Sequence, residues 1–516
     1  MKERILGHFR VAIVGSGFAG IGAAKRLLDE GIDDFVIFER AKEVGGVWRD
    51  NQYPGCACDV HSHLYSFSWA QNPSWTRAFS PQQEIWAYLK GVAERFGILP
   101  YVRFEHAVVE ARWDASERHW RIETSQGLFT ADTFVAANGG LSEPSYPNLP
   151  GIDSFTGKTM HSARWDHDYD LAGKRVAVVG TGASAIQFIP QIQPRVAKLT
   201  VFQRTPPWVV PRGDREVPLE RRRFFEEHPR ALSALRGAIY GVRELMALPL
   251  LHPSLLGVGE RMARRHLERQ VPDPVLRAKV TPSYRMGCKR ILVSDDYYPA
   301  ITQPNVDVVT SGIREVRTNG VVTSDGAFHE VDAIIFGTGF QVAEMKIASQ
   351  IHGRDGRSLS EVWNGSAEAH LGTTVHGFPG LFMLQGPNTG LGHTSVIVII
   401  ESQIEHLIGA LKNMEARNLV AVEPKVEAQA AFVAHVERKL KTTVWNTGGC
   451  QSWYLDKNGK NSTLWPGFTF TFARRVEPFD PKEYIPIARL SRARRPAPSP
   501  EKSAPRAVVP GKEATA

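Results

Sequence analysis

Cysteine is scarce in this sequence: four residues in 516, at positions 56, 58, 288 and 450. So few cannot staple a chain of this length. The fold must therefore rest on apolar cores, and the thiol usage fits a reducing cytoplasm. Also missing is an apolar run of the roughly 20 residues that would cross a bilayer, so no integral membrane segment is expected. The stretch VAIVGSGFAGIGAA could imitate a signal-peptide core. Its glycines are spaced, however, and it runs into Lys25 and Arg26 instead of a cleavage site. A basic excess is missing from the body as well. The formal charge is +8, but the stretch from Arg489 to Ala516 holds seven basic and two acidic residues and so supplies +5 of it. That stretch, rich in proline, serine and alanine, reads as a disordered, solubilising tail over 489–516. The rest carries too little positive charge for nucleic acid to be the expected partner.

What is present is length and glycine. A chain of 516 residues exceeds one compact core, so two or three domains are expected, and 45 glycines need a purpose. FRVAIV reads as a buried parallel strand, and Gly15-Ser16-Gly17-Phe18-Ala19-Gly20 follows directly. IGAAKRLLDEGI then reads as a helix, and VIFER as the next strand, with Glu39 near its end. Strand, three glycines, helix, strand and acid in this register form a dinucleotide site. The glycines allow a pyrophosphate to approach the helix N-terminus, and the acid accepts hydrogen bonds from ribose hydroxyls.

The signal recurs in GKRVAVVGTGASAIQFIPQI, where Gly180, Gly182 and Ala185 take the three small-residue positions. Here the following strand, LTVFQRT, replaces the acid with Gln203, and Arg204 and Thr205 come next. An acid would repel a 2′-phosphate, whereas an arginine makes charge-assisted hydrogen bonds to it. The first site is thus expected to hold FAD and the second NADPH, in a flavoprotein that takes hydride from NADPH. TFVAANGGLSEPSYPNLPG and VDAIIFGTGF look like chain crossings between the two units. The expected class is α/β with two Rossmann-like dinucleotide-binding domains. FAD-binding residues fall in 1–150 and again in 346–488, the latter with an active-site loop. The NADPH domain spans 151–345, with a helical insertion over about 211–282.

Between the two glycine motifs lies FTGKTMHSARWD, which has neither helical nor strand periodicity. With Phe155, Gly157, His161, Trp165 and Asp166 it resembles the fingerprint FxGxxxHxxxW[P/D] of the type I Baeyer–Villiger monooxygenases. A second pattern of that family is matched by Gly45-Gly46-Val47-Trp48, Tyr53-Pro54-Gly55 and Asp59. The resemblance spans about residues 8 to 475. One departure is Ala137-Asn138-Gly139, where the family usually has Ala-Thr-Gly; it bears on a local turn and not on the reaction.

The resemblance implies an NADPH- and O2-dependent enzyme that inserts one oxygen beside a ketone carbonyl through a C4a-peroxyflavin, giving an ester or lactone. Such chemistry wants an immobile cation beside developing oxygen anions, and arginine cannot lose its proton. The family's catalytic arginine matches Arg290 in MGCKRILVSDDYY, its carboxylate partner matches Asp59, and Lys289 matches a lysine that reaches the 2′-phosphate. Trp48 counts among the cofactor contacts. The loop Gly386–Gly392, with Asn388, is implied to face the flavin, and Trp453 to touch the nicotinamide end of NADP. His161 is implied to couple the domains so that NADPH first reduces the flavin and NADP⁺ then shifts and stays; it is not a base.

Three rival functions share parts of this pattern. A flavin monooxygenase acting on amine nitrogen or sulfur shares the fold and both cofactors, but its fingerprint usually differs at Trp165 and Asp59. A disulfide reductase needs a redox-active cysteine pair. Cys56-Ala57-Cys58 is spaced too tightly for one, and Cys288 and Cys450 are isolated in sequence. A non-catalytic flavin-binding protein or NADPH sensor would not need Asp59, Lys289 and Arg290 together. No metal site is expected.

Overall fold

The computed structural model describes residues 4–342 and 345–490. Two parallel sheets organise it. In the first, Ile5–Val14 lies between Phe35–Phe38 and Gly127–Ala136, parallel to both. Its Val11 and Ile13 are fully buried, as a β-branched strand covered on both faces requires. Burying each such side chain contributes about 2 kcal/mol. The strands Val108–Asp114 and His119–Thr124 extend the sheet antiparallel, and Leu381–Met383 returns late in the sequence to pair with Gly127–Ala136. Helix Phe18–Asp29 and the long helix Val396–Ala416 share one apolar core with this sheet. The FAD-type unit is thus built from both ends of the chain.

The second sheet has five parallel strands in the order Val306–Val309, Lys198–Phe202, Arg175–Val179, Ala333–Phe336, Lys158–His161. The last is a correction to the sequence reading. The stretch read as aperiodic contributes an edge strand, where one exposed flank removes the need for regular alternation. Helix Ala185–Ile192 covers this sheet and buries Ile186, Phe188 and Ile189.

Over 211–282, between strands Lys198–Phe202 and Val306–Val309, the described residues form the helices Leu219–Glu227, Pro229–Leu245, Ala247–Leu251, Gly257–Gln270 and Pro274–Val280. These lie in the region read as helical. Helix Pro229–Leu245 reaches across to the first unit: the buried Arg236 donates to the backbone carbonyls of His63 and Leu64 at 3.1 and 3.0 Å.

Two further readings are corrected. Cys288 and Cys450, isolated in sequence by 162 positions, form a disulfide. Tertiary packing brings them together: Arg285 N–H donates to Gly448 O at 3.0 Å, and a Cβ on Gly448 would lie 2.5 Å from that of Cys288. Thiol scarcity therefore no longer argues for a reducing compartment, and only Cys56 and Cys58 are free. Arg489, assigned to the tail, instead pairs with buried Asp132 at 2.9 Å; residues 491–516 lie outside the described residues. No helix among the described residues is long and apolar enough to cross a membrane, and these residues hold no cluster of potential metal ligands.

Candidate active site

The first glycine turn is built by close backbone approach. Gly15 has φ +97°, and a Cβ there would lie 2.9 Å from Ala137 O in the crossing segment. A Cβ on Gly20 would meet Gly15 O, so the helix packs directly on the turn. Gly17 is different: its nearest neighbour would be Gly46 Cα at 3.6 Å, which leaves room above the helix N-terminus. Glu39 is buried at 3% exposure and is held by Ser16 N–H and Oγ–H (3.0 and 2.6 Å), Ala41 N–H (2.9 Å) and Arg49 (3.0 Å). Burial pushes its carboxyl upward, but the Arg49 charge and these donors outweigh it and hold the group below the usual carboxylate range. The residue is an ionised acceptor at the strand end, as a ribose partner must be.

The second turn repeats the backbone geometry. Gly180 has φ +103°, and a Cβ would lie 2.5 Å from Gly337 O in the other crossing. Ala185 fills the third position, its Cβ 3.1 Å from one built on Gly337. Gly182 has nothing nearer than Gly337 O at 3.9 Å, so packing does not require a glycine there; the open space suits an approaching phosphate. At the strand end the electrostatics invert. Gln203 is turned inward to Lys279 O at 3.0 Å, and Arg204 and Thr205 border the cavity. Lys289 joins them, its Nζ over the Tyr284 ring at 5.3 Å. Burial and the Arg204 charge both push the Lys289 ammonium below its usual pKa. Neither cation has a carboxylate partner among the described residues, and two unpaired, mutually repelling cations fit an anionic ligand such as a 2′-phosphate.

Between the two units opens a cavity of about 1010 Å³. Asp59 and Arg290 face each other in its wall: Arg290 Nε and Nη2 both donate to Asp59 Oδ2, at 2.9 and 2.7 Å. The short strand Leu292–Val293, paired with Val209–Val210, aims the arginine. The Asp59 loop is pinned by Cys58 N–H to Ser80 O and Ser62 N–H to Ala78 O. Both charges are densely surrounded by protein, yet Arg290 and Asp59 keep 32% and 23% of their side-chain surface open to the cavity. The Asp59 charge raises the Arg290 pKa against burial, and the Asp59 carboxyl is held down by Arg290 although burial opposes it. One carboxylate oxygen takes both donors, so the guanidinium keeps Nη1 for something else. The pair is a permanent cation with a spare donor, open to the cavity between two nucleotide folds.

Trp48 and Trp453 also border this cavity. Trp48 Nε1 donates to Tyr65 Oη at 3.1 Å, while Trp453 is 45% exposed and lies on the Tyr454 ring. Asn388 is placed differently from the sequence expectation. Its amide donates to Asn461 O and Leu464 O at 2.9 and 3.2 Å, so it braces the neighbouring loop while Gly386, Pro387 and Thr389 face the cavity. Gly15, Gly17, Gly20 and Glu39 do not border this cavity, although Gly17 packs on Gly46, next to the cavity-lining Val47 and Trp48.

The connector residues stay out of the cavity. Phe155 packs in the core beneath the second sheet, and Gly157 lets that ring and Asp332 O approach. Trp165 lies on Phe188 of the second nucleotide helix, and Asp166 pairs with Lys158. His161 is fully buried; its Nδ1 accepts from Ala163 N–H at 3.0 Å, and burial pushes its pKa down to about 4. It meets the cavity wall through the rings of Tyr146 and Phe340 and the backbone of Gly339.

A family profile described as "Flavin-binding monooxygenase-like" matches residues 8–220. A "Baeyer-Villiger monooxygenase" of Streptomyces coelicolor is 52% identical over 484 residues, covering 93% of each chain. Another from Pseudomonas aeruginosa is 49% identical over 94% of this chain and 93% of its own. The chain belongs to the Baeyer–Villiger monooxygenase family. Among solved structures, a closed cyclohexanone monooxygenase superposes with a TM-score of 0.85 at 28% identity, covering 93% of this chain and 99% of that one. A steroid monooxygenase bound to NADP gives 0.81 at 30% identity, with the same coverage.

Sequence reasoning missed three residues of this monooxygenase's site. Gln187, on the second nucleotide helix, bonds Tyr53 Oη (2.9 Å) and Ala57 O (3.0 Å) in the first unit and so joins the halves directly. Its only signal was its place one turn beyond a glycine motif. Arg243, from the helical insertion, is pushed below its usual pKa by burial while the field of Asp59 pulls it back, so a second arginine senses the Asp59 carboxylate. Tyr454 lies buried beside Arg290 and Asp59, and burial pushes its phenol up to about 12. No motif announces either contact.

Proposed function

We propose that this chain binds FAD at the Gly15–Glu39 unit and NADPH at the Gly180–Arg204 unit, and uses them with O2 to convert a ketone into an ester or lactone. The observation that carries the reading is the Asp59–Arg290 pair, open to a cavity that the second glycine motif also borders. Bound FAD supplies acceptance of hydride from NADPH and activation of O2. The protein's own groups do the rest. Gly17 and Gly182 leave space for pyrophosphate, Glu39 holds ribose hydroxyls, and Arg204 and Lys289 hold the 2′-phosphate. Arg290 stays protonated at every working pH. Its free Nη1–H donates to oxygen as negative charge develops during attack on the carbonyl, in a site where fixed donors need no reorganisation. Asp59 keeps the guanidinium in place and remains ionised. Trp48, Trp453 and the loop Gly386–Thr389 shape the space and limit water. His161, neutral and buried, couples the second sheet to the cavity wall and transfers no proton.

The test loads the protein with FAD and supplies NADPH, O2 and a panel of linear, cyclic, aromatic and steroid ketones. One ester or lactone per NADPH is the expected result. Oxides of sulfides or amines alone, or hydrogen peroxide alone, would overturn the reading.

A further inference from the structure

The Cys288–Cys450 disulfide lies where the two cofactor-facing segments of the late site meet. Cys288 is two residues before Arg290 and one before Lys289; Cys450 is three residues before Trp453. Neither sulfur borders the cavity, so the bond is not placed to exchange electrons with a cofactor there. Its surroundings show what it does hold. Up to Gly448 the later segment is anchored without it, through Arg285 N–H to Gly448 O and the close packing of Gly448 on Cys288. Between Gly449 and Leu455 the backbone N–H hydrogen bonds are local: Tyr454 N–H donates to Ser452 Oγ and Leu455 N–H to Ser452 O. Gly449 has φ +75° and is exposed, a swivel position. Trp453 is 45% exposed, and its ring meets that of its neighbour Tyr454 at a tilt. The next strong anchor is buried Tyr454 itself. Apart from the packing of Cys450 on the apolar cluster that contains Cys288, the disulfide is thus the link among the described residues that ties 449–453 to another part of the chain.

We infer that Cys288 and Cys450 are positioning residues. Their bond holds the Trp453 loop in register with Lys289 and Arg290, so that the segment closing over NADP and the segment carrying the reactive cation move as one body. This rests on the roles proposed above for those residues. The chain from one sulfur-bearing residue to Arg290 and from the other to Trp453 spans at most about 17 Å in total. The bond therefore restricts their relative travel, which a five-residue free stretch beside a glycine would not. Cys450 is half-buried, so a dithiol can reach it. Two thiols of dithiothreitol are then oxidised to its cyclic disulfide, the Sγ–Sγ bond breaks, and each cysteine sulfur takes a proton.

The experiment uses full-length, FAD-loaded protein purified without reductant, before and after dithiothreitol, beside Cys450→Ser. Denatured thiol titration should find two thiols untreated and four reduced. The NADP⁺ dissociation constant, measured by equilibrium binding, should rise roughly fivefold on reduction, as pre-ordering of the loop is lost. The hydrogen peroxide released per NADPH should rise about threefold by the same cause. Re-oxidation should restore both values in the natural protein, and Cys450→Ser should show the weakened values with no response to dithiothreitol. Four thiols in untreated protein would overturn the inference, as would a reduced protein with unchanged NADP⁺ affinity and peroxide yield. A protein that makes no ester or lactone but shows the reversible affinity shift would keep the tether and lose the reaction.

Discussion

The two nucleotide units share a backbone and differ in charge. In both, the first glycine sits at positive φ under a carbonyl from a crossing strand, Ala137 O for Gly15 and Gly337 O for Gly180. In both, the middle glycine faces open space. At the end of the following strand they part. The first unit buries an ionised Glu39 among four donor contacts; the second ties neutral Gln203 to Lys279 O and leaves Arg204 and Lys289 at the cavity with no carboxylate partner among the described residues. In the proposed function, the shared part is a steric solution to bringing pyrophosphate near a helix N-terminus, and the differing part selects the ribose. The Asp59–Arg290 pair belongs to neither turn. Asp59 comes from the first unit and Arg290 from the second, and they meet only in the cleft.

That division can be broken at several points. Removing the shared chemistry should have the largest effect: Arg290→Ala should lower ester or lactone formation by about 10³-fold while both nucleotides still bind, since one fixed donor at a developing oxyanion is worth this much. Product assays beside NADP⁺ binding check it. Next come the turns. Gly15→Ala should destabilise the fold by about 2–3 kcal/mol, because its φ of +97° and the 2.9 Å approach of Ala137 O both oppose a side chain. Gly182→Ala should leave urea stability unchanged, since nothing packs there, and should weaken NADPH instead. Equal destabilisation by the two changes would refute the separation of packing from binding.

The charge difference is tested by Arg204→Ala and Lys289→Ala. Each should raise the NADPH KM by roughly 10- to 100-fold, equivalent to about 1.5–3 kcal/mol, and leave the NADH KM nearly unchanged. A parallel loss for both nucleotides would mean that the cations do not read the 2′-phosphate. The smallest effect is a pH dependence. His161 and His406 are fully buried, and burial pushes both pKa values down to about 4, below the ordinary value near 6.5. The unfolded chain therefore binds more protons below pH 6.5. Stability should be level above that pH and fall as pH drops toward 4, by up to about 2 kcal/mol per histidine at pH 5. Denaturant midpoints at pH 7.5 and pH 5 measure this, and His161→Gln should remove its share of the slope.

The nucleotide units were legible because their signals are local. Gly15 to Glu39 and Gly180 to Arg204 each span one strand, turn, helix and strand, where hydrogen bonding and sterics act over a few residues. Arg290, Asp59, Lys289 and Trp453 were legible through family patterns, not through any periodicity of their own. The strand Lys158–His161 was missed because an edge strand need not alternate. Asn388 was assigned to the cofactor with the rest of its loop, of which Gly386, Pro387 and Thr389 border the cavity, but which way an amide points depends on partners some 75 positions away. Arg243 and Tyr454 carried no signal at all, and Gln187 only its place one turn beyond a glycine motif, since their neighbours come from other segments.

By itself the sequence determined that there are two nucleotide folds, and which of them carries an acid and which a base, because both follow from residue types at short, fixed spacing. Only the tertiary structure decided that Asp59 meets Arg290 in an open cleft and that Gln187 joins the halves. It alone decided that two cysteines 162 positions apart are one bond beside the site. These are contacts between segments distant in sequence, and what sets them is the packing of two cores against each other, which no local pattern records.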